Sequence, residues 1–153
     1  MKVAAAVACL GAGLVLGACA SAQSPGAALA SWSSQNEFSA AVTTLLTDSN
    51  VVHVAIMRHE SPKAVRTVCV ELLDDAQGAN DALDTPDAQL TSLLSRSYDH
   101  FAHAANACFD GSASPTALGA ADRERHVAVG LLVQAVLREE AVVGRSLGVR
   151  GIP

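Results

Sequence analysis

Residues 84–108 read DTPDAQLTSLLSRSYDHFAHAANAC. Leu90, Leu94, Phe101, Ala105 and Cys108 recur at the three-, four- and seven-residue intervals that bring side chains onto one face of an α-helix. Asp84-Thr85-Pro86-Asp87 is a helix start in which Asp84 or Thr85 caps and Asp87 lies against the positive end of the dipole. A stripe of this length needs a partner surface, and the flanking sequence offers several of the same kind.

Upstream, Ser61-Pro62 places serine at a cap and proline at the first helical position, where its missing N–H costs nothing. Val65, Cys69, Leu72, Ala76 and Ala79 form the face that follows, and Gly78 with Asn80-Asp81 ends it. Further upstream Phe38, Val42, Leu45, Val52 and Ile56 align on a first long helix running from Leu29, bent near Asp48-Ser49-Asn50. A short buried strand over 51–57 is the alternative, without an evident partner. Downstream, Ser114-Pro115 opens a last element. Its segment from Val127 to Leu137 is almost wholly apolar between Asp122-Arg123-Glu124-Arg125 and Arg138-Glu139-Glu140. A span needs roughly 20 apolar residues, so this shorter run reads as a helix central to a bundle. Strand signals are scarce. The expected class is all-α, a four-helix bundle forming one domain over 28–150.

The chain opens with Met1-Lys2 and then runs uncharged from Val3 to Ala18, the layout of a secretory signal over 1–18. Leu16-Gly17-Ala18-Cys19 looks like a bacterial lipobox, which predicts acylation of the Cys19 thiol by diacylglycerol and cleavage that leaves Cys19 as the N-terminus. The alternative is an ordinary signal cut after an A-x-A-like site, Ala18-Cys19-Ala20 or Ala20-Ser21-Ala22. Two or three acyl chains, palmitate among them, would hold the protein durably at the extracytoplasmic face of the cell membrane. Residues 19–27, with Ser24-Pro25-Gly26, read as a flexible tether.

The 153 residues carry ten basic and fifteen acidic side chains. Loss of the signal removes Lys2, so nine basic residues would face fifteen acidic ones, a net charge of minus six. Such a chain has no basic stripe for nucleic acid or anionic headgroups. Four cysteines are present. Cys9 leaves with the signal and Cys19 is consumed by lipid, which leaves Cys69 and Cys108 in an oxidising compartment, where a disulfide is expected. Two buried free thiols, or a metal or redox pair, are the alternatives. On 1.5 Å of rise per residue the two positions lie ~18 Å out of step along consecutive helices, a gap an extended linker of about eight residues spans.

Trp32 near the start, a helix bearing Cys69-Val70-Glu71-Leu72, the Pro86-Asp87 helix start and Cys108 after an alanine-rich turn together make the mature chain resemble small helical lipoproteins of actinobacteria. Its excess of arginine over lysine and its many alanines and valines agree with a high-GC actinobacterial source. The resemblance implies the helical fold and the disulfide, and carries over no catalytic residue.

Candidate chemistry is sparse. Gly144-Arg145-Ser146-Leu147-Gly148 matches G-x-S-x-G, but no strand precedes it and no histidine or acid follows to complete a triad, so it reads as a chance match. His100 and His103, with Asp99, are weak metal candidates because positions i and i+3 share a side of a helix. They would need His53, His59 or His126 from a neighbour. Acidic residues cluster as Glu71-Asp74-Asp75 and Asp81-Asp84-Asp87; the second group could hold calcium loosely, but it lacks the order of a calcium loop and reads as capping and solubility. Trp32, Phe38, Tyr98, Phe101 and Phe109 read as core. No catalytic residue, metal or cofactor is expected. The sequence points to a non-catalytic envelope lipoprotein acting as an interaction or accessory module on another envelope protein. The alternative is a carrier whose bundle opens around a lipid or other apolar molecule.

Overall fold

The computed structural model describes residues 23–149. The expected signal segment and Cys19 lie outside the described residues, as do residues 150–153. The described chain is all-α, with five helices: α1 (Pro25–Gln35), α2 (Phe38–Met57), α3 (Pro62–Asp81), α4 (Ala88–Asp110) and α5 (Pro115–Val143). Three of them open on the same Ser-Pro device. Ser24, Ser61 and Ser114 each accept the backbone N–H three residues on, at 3.3, 3.3 and 3.4 Å, with proline next in line. Gly144 closes α5 in the left-handed conformation, φ 77°, that glycine adopts without steric cost.

The helices pack in chain order, α2 on α3, α3 on α4 and α4 on α5, and α5 returns to α2. The short α1 lies across α5 and α2. The sequence stripes face one shared interior: Val42, Leu45, Leu72, Leu90, Leu94 and Phe101 are buried, with Leu29 and Leu132. Ala76, Ala105, Ala128 and Ala135 lie among them, small side chains that let backbones approach closely. The Cys69 and Cys108 sulfurs are at disulfide distance, with Cα atoms 6.0 Å apart and both side chains fully buried. α2 is, among the described residues, the one helix long and apolar enough to cross a bilayer. Here it buries Phe38, Val42, Leu45, Val52 and Ala55 in the shared core.

Several expectations are corrected. The first long helix is two helices, so five are present rather than four, and the break falls at Asn36-Glu37 instead of Asp48-Ser49-Asn50. Asn36 caps α1 by donating its backbone N–H and its side-chain amide to the Trp32 carbonyl, both at 3.0 Å. Glu37 then turns the chain in a left-handed conformation, φ 48°. Residues 51–57 are helical throughout. α1 begins at Pro25, inside the stretch read as tether. α3 continues through Gly78 to Asp81, which shortens the mismatch between the cysteines. At the start of α4 the cap is Asp87 itself, accepting from the Leu90 N–H at 2.7 Å, because Thr85 uses its hydroxyl to accept from the Asp87 N–H at 3.1 Å. Phe109 is exposed rather than core, with the Arg66 guanidinium 5.6 Å above its ring. The apolar run of α5 is buried on one side only: Val127, Gly130, Gln134 and Leu137 face outward.

Candidate functional site

The turn at Asn36-Glu37 sets Trp32 at the end of α1 against Phe38 at the start of α2, with ring centroids 5.4 Å apart and planes tilted by 48°. These rings form one wall of a half-open cavity of about 250 Å³. At ~30 Å³ per water that is the space of about eight waters, or a ligand of roughly ten heavy atoms. Leu45 of α2, Leu94 and Tyr98 of α4 and Leu83 of the α3–α4 linker make the other apolar surfaces. Asp74, Asp75 and Gly78 bring α3 to the mouth. Tyr98 is 4 % exposed, and its burial pushes the phenol pKa up.

Asp75 of the lining in turn meets Asp48 of α2, which is not itself on the lining. Burial, a hydrogen bond with Asp75 and the charges of Asp75 and Glu71 together push the Asp48 pKa up to about 6. Its Oδ2 is buried and has no hydrogen-bond partner. A carboxylate crowded against like charge holds a proton or attracts a cation. A broader groove of about 700 Å³ lies between α1, α2 and residues 145–147. It is lined mainly by serine and threonine, with Glu37, Arg145 and Leu147, and contains no aromatic side chain.

The residues singled out in the sequence lie elsewhere. His100 pairs through Nδ1 with Glu124 of α5 at 2.7 Å, both partly exposed. It does not meet His53 or His126, and among the described residues no three His, Cys, Asp or Glu side chains are placed to hold a metal ion. His53 of α2 instead contacts Asp122 of α5 at 3.0 Å. Arg125 donates to the same carboxylate at 2.8 Å and to the Ser49 hydroxyl at 3.0 Å. Burial pushes Asp122 up, but the hydrogen bonds from Arg125 and His53 outweigh it and hold the carboxyl below its usual range. Asp122 and His53 have the geometry of a base and its orienting acid, yet Ser49 faces Arg125. This arrangement ties α2 to α5.

Ser146 of the G-x-S-x-G segment donates to Glu140 at 2.9 Å, and the Leu147 N–H donates to the same oxygen at 2.8 Å. The motif is the turn that follows α5. Asp87 caps α4 and also receives Arg138 of α5 at 2.7 and 3.2 Å. Those hydrogen bonds keep Asp87 below the ordinary carboxylate range.

No family model, no curated protein and no solved structure matches this chain. A functional reading therefore rests on the geometry of its own residues. The cavity was missed in the sequence because its walls come from four helices and a linker. The one available signal was the spacing of Trp32 and Phe38 around the polar pair Asn36-Glu37.

Proposed function

We propose that this protein is a non-catalytic lipoprotein, anchored by acylated Cys19 at the extracytoplasmic face of the membrane, that binds a small amphipathic molecule in the Trp32–Tyr98 cavity. The observation that carries this reading is the convergence of Trp32, Phe38 and Tyr98, three of the five aromatic side chains in the sequence, on one half-open cavity. Sites for small molecules are concave, mostly apolar and marked by a few polar groups, and this cavity has that composition. The lipobox and the likeness to actinobacterial lipoproteins support the anchor. The ring of α2 to α5 supports a four-helix bundle braced by α1, with a Cys69–Cys108 disulfide across α3 and α4.

The test is mass spectrometry of the protein extracted gently from its own membrane. Denatured, it should carry acyl mass on Cys19 and gain two daltons on reduction; native, it should retain a small molecule that the Gly78→Leu variant loses. Gly78 sits at the cavity mouth with open space where a side chain would go, so leucine there blocks the opening without a clash. An unmodified Cys19 removes the anchor from the reading, and a ligand retained equally by Gly78→Leu removes the cavity.

A second reading is favoured by the outward face of α5. Val127 and Leu137 remain 47 % and 56 % exposed on the helix with the longest apolar run, a surface suited to protein contact.

A further inference from the structure

The walls of the Trp32 cavity are aromatic and aliphatic, while every charged residue on its lining is acidic. Asp74 and Asp75 sit one helical turn before Gly78, at the mouth. Asp48 faces Asp75 from α2, with an orphan carboxylate oxygen buried behind it. Glu71 adds a further negative charge from one turn earlier on α3. No lysine, arginine or histidine lines the cavity. Crowding of like charges costs free energy, and a bound cation beside Asp74 and Asp75 would relieve it. Trp32 and Tyr98 line the same cavity and supply the second half of such a site, because an aromatic ring attracts an organic cation that has shed its water.

We infer that the cavity selects an organic monocation, a primary or quaternary ammonium on an apolar body of about ten heavy atoms, with Asp75 and Asp74 taking the charge and Trp32, Phe38 and Leu94 the body. The inference rests on the proposed cavity and assigns it a chemical class. A neutral apolar ligand would leave the charges of Asp74 and Asp75 uncompensated. An anion would be repelled by carboxylates on both α2 and α3. A metal ion would find too few ligands, and the aromatic surface would be left without a role.

The test uses the full-length chain with Cys19→Ser, which keeps every other residue and cannot be acylated. Trp32 is the sole tryptophan, so its emission reports on the cavity directly. Three probes share one body and differ in charge: 3-phenylpropylammonium, 3-phenylpropanol and 3-phenylpropanoate, titrated at pH 7.5 by Trp32 fluorescence and by calorimetry. The ammonium should bind at least tenfold more tightly than the alcohol, and the propanoate most weakly. Asp74→Asn with Asp75→Asn should bring the ammonium down to the affinity of the alcohol, while the alcohol itself is unchanged. Equal binding of ammonium and alcohol by the unaltered acidic site overturns the charge inference and leaves the cavity reading standing. Tighter propanoate overturns it as well. If none of the three probes binds, the inference and the cavity reading fail together.

Discussion

Glu139 is fully buried on α5, and neither of its carboxylate oxygens has a hydrogen-bond partner among the described residues. Burial pushes its pKa up; the Ser33 hydroxyl and the Arg145 charge pull the other way, less strongly. The folded protein therefore holds this proton to higher pH than the unfolded chain does. Between the two pKa values the folded state binds more protons, so stability falls as pH rises through that window. Glu139→Gln keeps the shape and removes the titration. It should raise stability at pH 7.5, where the wild-type carboxyl must give up its proton inside the core, and change little at pH 3.5. Thermal melts at the two pH values decide it, and a lower melting temperature for the variant at pH 7.5 would show an ionised, paired carboxylate. Asp48 follows the same sign. Its stabilising proton is present below the ordinary aspartate range near 3.8 and is lost as pH rises through about 6. Asp48→Asn should gain about 1 kcal/mol at pH 7.5, a figure reduced from the full linkage because the side chain is partly hydrated, and nothing at pH 3.5. Urea midpoints at both values measure this, and an equal gain at pH 3.5 would exclude titration as its cause. Neither residue declares itself in the sequence. Glu139 lies in the charged run Arg138-Glu139-Glu140, which reads as solvated, and Asp48 meets Asp75 only because α2 packs on α3.

Helical periodicity was legible wherever one face of an element is core. Val65, Cys69, Leu72 and Ala76 are all buried, as are Leu90, Leu94, Phe101, Ala105 and Cys108. That accuracy has a physical source, since a stripe repeated at helical spacing is the condition for burying one side of an isolated helix. The break at Asn36-Glu37 was not legible, because a glutamate in the left-handed conformation leaves no compositional mark. The Asp87 cap was misplaced by only a few residues, since Thr85 and Asp84 offer the same chemistry. The two stripes that contain cysteines carry the clearest consequence for stability. Cys69 and Cys108 are 39 residues apart, and closing a loop of that length restricts the unfolded chain by about 4 kcal/mol in the chain-entropy model. Cys69→Ala with Cys108→Ala should lower the stability of the oxidised protein by that order, measured by urea unfolding with and without reductant. If reductant leaves the unaltered protein's unfolding midpoint where it was, the two cysteines are free thiols and the core alone supplies the stability.

At the scale of the whole molecule, the exposed face of α5 has a symmetry that bears on its partner. Arg123, Val127, Gly130, Gln134, Leu137 and Ala141 are spaced so that the series reads alike in both directions about residue 132. Laid antiparallel against a second copy, Val127 meets Leu137, Gly130 meets Gln134, and Arg123 comes beside Glu140. Such a contact is isologous, using one patch twice, and the glycine gives the helices room to approach. A single helix pair buries less than a standard interface, so the free protein should dimerise weakly, with a Kd of order micromolar or above. The proposed anchor would change the balance by confining both copies to one surface and raising their effective concentration. It would also fix orientation, since two anchored copies would need their two-fold axis along the membrane normal, which would lay α5 parallel to the surface. Sedimentation of the Cys19→Ser chain should reveal a concentration-dependent dimer that Val127→Glu with Leu137→Glu converts to monomer with unchanged helicity. A monomer persisting at several hundred micromolar would leave the α5 stripe without its second copy, and the Trp32 cavity as the molecule's single binding feature argued from geometry.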